Sequence, residues 1–245
     1  MDKHNIENLI LEIDKVKAYV WDRVQSDYLL NNHGAFLFRT YVYEELINKI
    51  DQKIEEKKLP EVFKQYTINR WYNFACSLVI QSLLENHDRV KAEENRKSLT
   101  KDIFIDEKPF DFKISYVFKG SSEKMFLRNL NDPTDFIIKY YKGGGKQRMH
   151  SEPKLFMIFA DKYNHKEHQW EMKRDFDTIK KFITLYLDGT KNTEYLKEKE
   201  FSVGDNNHII KMADLFYIIK DNNKRFGIYF NWKNNIPAKT EIEIN

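Results

Sequence analysis

Two aspartates and a lysine carry the clearest chemical signal in this 245-residue chain. They lie in the stretch 102–115, DIFIDEKPFDFKIS, as Asp102, Asp111 and Lys113. Residues i and i+2 of a strand point to one face, about 6–7 Å apart, so Asp111 and Lys113 project together. Two carboxylates brought close repel each other and ionise together only with a cation between them. A hard divalent cation such as Mg2+ or Mn2+ takes oxygen ligands and retains waters, which suits such a pair. A neighbouring lysine can then orient an attacking water or stabilise charge developing on phosphorus. The combination points to phosphodiester hydrolysis. The plain alternative is a solvated strand face, since charges there are common and a D-x-K triplet arises by chance in many chains.

These residues need an element to bring them together. The apolar runs Ile103-Phe104-Ile105 and Phe110-Phe112-Ile114, around Asp106-Glu107-Lys108-Pro109, predict a β-hairpin. A two-residue turn at Glu107-Lys108 would pair Asp106 with Pro109, Phe104 with Asp111 and Asp102 with Lys113. Both carboxylates and the ammonium then share one side of the ribbon. Ile103, Ile105, Phe110, Phe112 and Ile114 fall on the other, and a one-residue slip would scatter the trio.

The flanking chain supplies helices first and strands later. Helical spacing predicts helices over 4–30 and 35–58, then a third opening at Thr67 as N-cap and ending near Asn86-His87. Strands are expected at 89–94, 101–106, 110–118, 154–160, 208–219 and 225–232, with helices at 132–141 and 171–187. This uneven alternation favours an α/β fold with a mixed central β-sheet flanked by helices. Leu59-Pro60 separates an N-terminal helical region, 1–60, from a core domain, 61–245.

The stretch resembles the PD-(D/E)xK superfamily of restriction-endonuclease-like nucleases. There an acid opens one hairpin strand and an (Asp/Glu)-x-Lys triplet lies on the next. Asp102 matches the first acid and Asp111-Phe112-Lys113 the triplet, while Lys101 stands where the nominal proline would be. The resemblance runs from about residue 66 to about 161: TINRWYNFACSLVIQSLLENH looks like the helix before the core sheet, and HDRVKAEEN like its first strand. GKQRMHSEPKLFMIFAD looks like the basic-polar loop leading into the next core strand. The resemblance implies a restriction-endonuclease-like core and a Mg2+-dependent deoxyribonuclease. Asp102 and Asp111 would bind metal, and a further acid, Glu94 with Glu93 and Glu85 as alternatives, would complete the site. The position of the helical acid is taken by Gln81. The implied partner is DNA, with a homodimer as a means of cutting two strands. A catalytically idle fold that binds DNA or a protein is the competing reading, and RNA cleavage a third.

Charge and composition set outer bounds. With 32% charged and 15% aromatic residues the chain has ample core material and is not a disordered tail. A net charge of +3 is small, so nucleic-acid contact must come from local clustering. Lys139, Lys142, Lys146, Arg148 and His150 provide such a cluster around Gly143-Gly144-Gly145, and Lys146, Gln147, Arg148 and His150 are the expected substrate-binding residues. That glycine run lacks the GxxxxGK[ST] spacing of a phosphate loop. HKEH at 165–168 reads as surface decoration, and Cys76, the lone cysteine, as a packed thiol that excludes a disulfide and a cysteine-based zinc site. Trp71, Tyr72 and Phe74 read as core anchors. No uninterrupted apolar run approaches eighteen residues, so neither membrane insertion nor secretion is expected, and a reducing cytoplasm is the natural home.

Overall fold

The computed structural model describes residues 3–17, 28–95, 98, 101–116, 128–129, 131–135, 137–138, 154–161, 169–189, 202–203, 208–209, 215–221, 224–233 and 236–243. It is a mixed α/β protein made of two compact units, Met1–Ser82 and Leu83–Asn245. The boundary falls in the last turn of a long helix, beyond the Leu59-Pro60 punctuation.

The first unit is helical, and the first two expected helices are shorter than their apolar spacing predicts. Helix α1, Lys3–Ile13, stops where Lys15 and Val16 turn back onto the carbonyls of Glu12 and Ile13. Val16 stays buried past that end, so the periodic stripe outlasts the helix. After α2, Tyr28–His33, the expected helix 35–58 is two pieces: a 3-10 turn, Ala35–Arg39, and α3, Tyr43–Lys57. The break at Thr40 has a cause. Its hydroxyl bonds the Phe36 carbonyl and its own carbonyl accepts from the Trp71 indole at 2.6 Å, which takes that acceptor out of the helical ladder. Lys58, left-handed at φ 52°, closes α3.

Helix α4, Val62–Glu85, begins a turn and a half earlier than an N-cap at Thr67 would allow. The Phe63 N–H reaches the Pro60 carbonyl at 2.8 Å and starts the helix there, leaving Thr67 fully buried in mid-helix. Trp71, Tyr72 and Cys76 are core residues of α4, as expected, whereas Phe74, also expected in the core, is only half-buried and packs edge-on against Phe38.

The second unit carries the sheet. Strands β1 (Val90–Ala92), β2 (Ile103–Ile105), β3 (Lys108–Tyr116) and β4 (Lys154–Asp161) lie side by side in that order. β5 (Ser202–Val203) and β6 (His208–Ile209) form a separate pair. β7 (Leu215–Asp221), β8 (Lys224–Lys233) and β9 (Ile236–Glu243) complete the main sheet beyond β4. The expected strand at 208–219 is therefore split between β6 and β7. β1, β2 and β3 are antiparallel neighbours, β3–β4 and β4–β7 are parallel, and β7–β8–β9 are antiparallel. β4 is buried along all eight residues, as the centre of a sheet covered on both faces requires. β9 lacked a clear signal because Pro237 argues against a strand; it is tolerated because β9 is the sheet edge.

The helix expected over 171–187 is also two pieces, α5 (Gln169–Met172) and α6 (Phe176–Gly189). Asp175 interrupts them by capping α6, its carboxylate accepting the Thr178 N–H. Ile179, Phe182, Ile183, Tyr186 and Leu187 form the buried stripe of α6. Phe182 lies over Gly227 of β8 so closely that a Cβ there would sit 1.8 Å from its ring. Within the expected helix 132–141, residues 134, 135, 137 and 138 are helical.

Candidate metal and phosphodiester site

The hairpin forms with a different register from the expected one. The turn is Asp106-Glu107, both left-handed at φ 48° and 68°, and the pairs are Ile105–Lys108, Phe104–Pro109 and Ile103–Phe110. Each residue of β2 thus pairs two positions earlier on β3 than a Glu107-Lys108 turn would place it. Because side chains alternate with period two, a shift of two leaves every residue on its expected face. Pro109 fits because a two-residue turn puts it in the second, non-hydrogen-bonded pair, where β2 asks nothing of its nitrogen.

Asp102 sits where the β2 ladder ends. Its N–H donates to the Phe110 carbonyl at 2.8 Å although Phe110 is already the partner of Ile103. Two residues against one is the arrangement of a β-bulge, which re-aims a side chain. Here it turns the Asp102 carboxylate onto β3, where Oδ2 accepts the Phe112 N–H at 2.9 Å. Lys113 Nζ is then 3.6 Å from Asp102 Oδ2 and pairs directly with Asp111 Oδ1. The Asp102 carboxyl is within hydrogen-bonding reach of Asp111 as well. The three residues singled out in the sequence converge.

A fourth member is one that sequence reasoning missed. Lys154, the first residue of β4, is the parallel register partner of Asp111. Its Nζ lies 2.7 Å from Asp111 Oδ2, with both side chains almost fully buried. The available signal was a lysine at the head of KLFMIFA, a run apolar enough to be buried on both faces, where an ammonium needs a partner.

Position separates the two carboxyls. Burial raises Asp102 above the ordinary aspartate range; Lys113 opposes this and Asp111 adds to it. Burial acts on Asp111 in the same sense, but Lys113 and Lys154 outweigh it and hold Asp111 below that range. The pair therefore ionises in two steps, Asp111 first.

The other expected site residues stand as follows. Glu93, at the end of β1, donates its N–H to the Asp102 carbonyl at 2.9 Å, while its carboxylate takes the Asn95 N–H and pairs with Lys101 at 3.0 Å. Glu94 is exposed beside it. Among the described residues no group of three or more His, Cys, Asp or Glu side chains converges, so neither glutamate joins the aspartates as a third ligand. Glu85 and Gln81 lie on α4. Lys146, Gln147, Arg148 and His150, with the rest of the basic cluster and HKEH, lie outside the described residues. Two carboxylates nevertheless fit a magnesium-like ion, which is commonly held by one or two carboxylates and completed by waters and substrate phosphate. The Asp102 side chain is 35% exposed, so water reaches the pair from that side.

Comparisons with protein-family models, with curated proteins and with solved structures find no match for this chain. Among the described residues no helix is long and apolar enough to cross a membrane.

Proposed function

We propose that the chain is a divalent-metal-dependent nuclease of the PD-(D/E)xK type that hydrolyses DNA phosphodiesters. The observation that carries this reading is the convergence of Asp102, just before β2, with Asp111 and Lys113 in the middle of β3. The order of elements supports it: a helix, a short strand, an acid opening a hairpin, the triplet strand, and a parallel strand beside it. Asp102 and Asp111 would hold Mg2+ or Mn2+, which when bound would acidify a water and neutralise charge on the scissile phosphate. Asp111, kept ionised by its two lysines, is the permanent anion of the pair. Asp102, whose carboxyl burial holds above the ordinary range, would bind the ion only in its ionised form. Lys113, 28% exposed and in contact with both carboxylates, orients the attacking water or meets charge developing on the phosphate. Lys146, Gln147, Arg148 and His150 would grip the DNA backbone.

A plasmid-nicking assay tests this directly. Cleavage is expected with Mg2+, none with EDTA or from Asp111→Ala, and a loss of about 100-fold or more from Lys113→Ala. DNA binding without nicking at any divalent concentration would instead support an idle fold that uses the same surface for binding. That second reading has an observation in its favour: Lys113 and Lys154 both pair with Asp111, and Lys113 also reaches Asp102 at 3.6 Å, so ammonium groups already face both aspartates.

A further inference from the structure

We propose that Lys154 is a positioning residue whose ammonium occupies one oxygen of Asp111, so that the site takes a single divalent cation and not a bridged pair. This rests on the reading of Asp102 and Asp111 as metal ligands.

The two oxygens of Asp111 face different neighbours. Oδ1 meets Lys113, which also reaches Asp102 at 3.6 Å. Oδ2 meets Lys154 Nζ at 2.7 Å, across the β3–β4 register, with the two side chains only 4% and 3% exposed. An ammonium buried that deeply stays with its carboxylate, because separating the pair would leave two unsolvated charges. In a two-metal site a bridging carboxylate gives one oxygen to each of two cations about 3.5–4 Å apart. Lys154 stands in one of those two directions. It supplies a fixed positive charge where a second ion would otherwise sit, and it holds the carboxylate with Oδ1 toward Lys113, the ammonium shared with Asp102. Lys113 is placed differently: partly exposed and shared between two acids, it can move aside when a cation enters between them.

The test counts bound Mn2+ by calorimetry and by electron paramagnetic resonance, with no substrate present. The wild-type chain should bind one Mn2+ with an isolated-ion spectrum. Lys154→Met should admit a second, seen as a doubled stoichiometry and a spin-coupled signal, while Lys154→Arg should keep the count at one. Two Mn2+ in the wild type would overturn the inference and leave the metal-dependent nuclease standing. So would one Mn2+ at unchanged affinity in a Lys154→Met chain whose circular dichroism is native. No Mn2+ in the wild type would overturn both this inference and the metal site beneath it. Should Lys154→Met fail to fold, the wild-type and Lys154→Arg counts decide.

Discussion

Asp102 and Asp111 are chemically the same side chain, and position alone gives them different tasks. Asp102 binds its proton more tightly in the folded chain than in the unfolded one, so its contribution to stability is present below the ordinary aspartate range and lost as pH rises through its elevated folded value. At neutral pH it is a cost to the metal-free fold. Asp102→Asn should therefore raise the thermal midpoint of the metal-free protein at pH 7, since an amide oxygen still accepts the Phe112 N–H, while abolishing Mn2+ binding in a calorimetric titration. Unchanged binding would remove Asp102 from the site. Asp111 has the opposite sign: its contribution is present above the ordinary range and is lost as pH falls through its depressed folded value. On the proposed reading, Lys113→Ala should lower kcat by about 100-fold or more with little change in KM, because the ammonium would act on charge that appears only as the reaction proceeds. Single-turnover nicking measures this.

The elements show where local rules suffice and where they do not. The shared face of Asp111 and Lys113 was legible because alternation is a property of the strand itself, whereas Asp102 lies beyond the β2 ladder and is aimed by the bulge. The turn was not legible, since Asp106-Glu107 is not the Asn-Gly or Asp-Gly pair that marks a type I′ turn, and Pro109 drew attention one step along the chain. A left-handed glutamate costs about 1–2 kcal/mol relative to glycine. Glu107→Gly should accordingly stabilise the hairpin, raising the unfolding free energy by about 1 kcal/mol in urea titrations. The first two helices are shorter than their apolar spacing for a related reason. Apolar spacing continued through Val16 and across Thr40, but there the backbone bonds were diverted by tight i→i−3 turns and by Trp71. On the sheet, Gly227→Ala should destabilise by about 1–3 kcal/mol, because Phe182 fills the space a methyl group would need. Pairing it with Phe182→Ala should recover part of that loss, a coupling that a double-mutant cycle measures.

At the scale of the whole molecule the charge is small. With a net charge of +3, long-range attraction to a polyanion is weak, and on the proposed reading contact would come from the run Lys139 to His150. Arg148→Ala and Lys146→Ala should each reduce the slope of log affinity against log salt by about 1, as expected for one lost phosphate contact, in fluorescence titrations of duplex DNA. An unchanged slope would take that run out of the DNA-binding surface.

The sequence by itself determined that Asp111 and Lys113 share a face, because a period of two is written into the strand and survives any even slip. It also determined that β4 is interior, since an unbroken apolar run has no solvent face to offer. Only the tertiary structure decided which strand lies beside Asp111, and so that Lys154, 43 residues away, shares its carboxylate. It likewise decided that a bulge at Asp102 turns that side chain inward. Both depend on pairing between distant segments, where the partner is selected by what packs across the sheet and not by residues nearby in the chain.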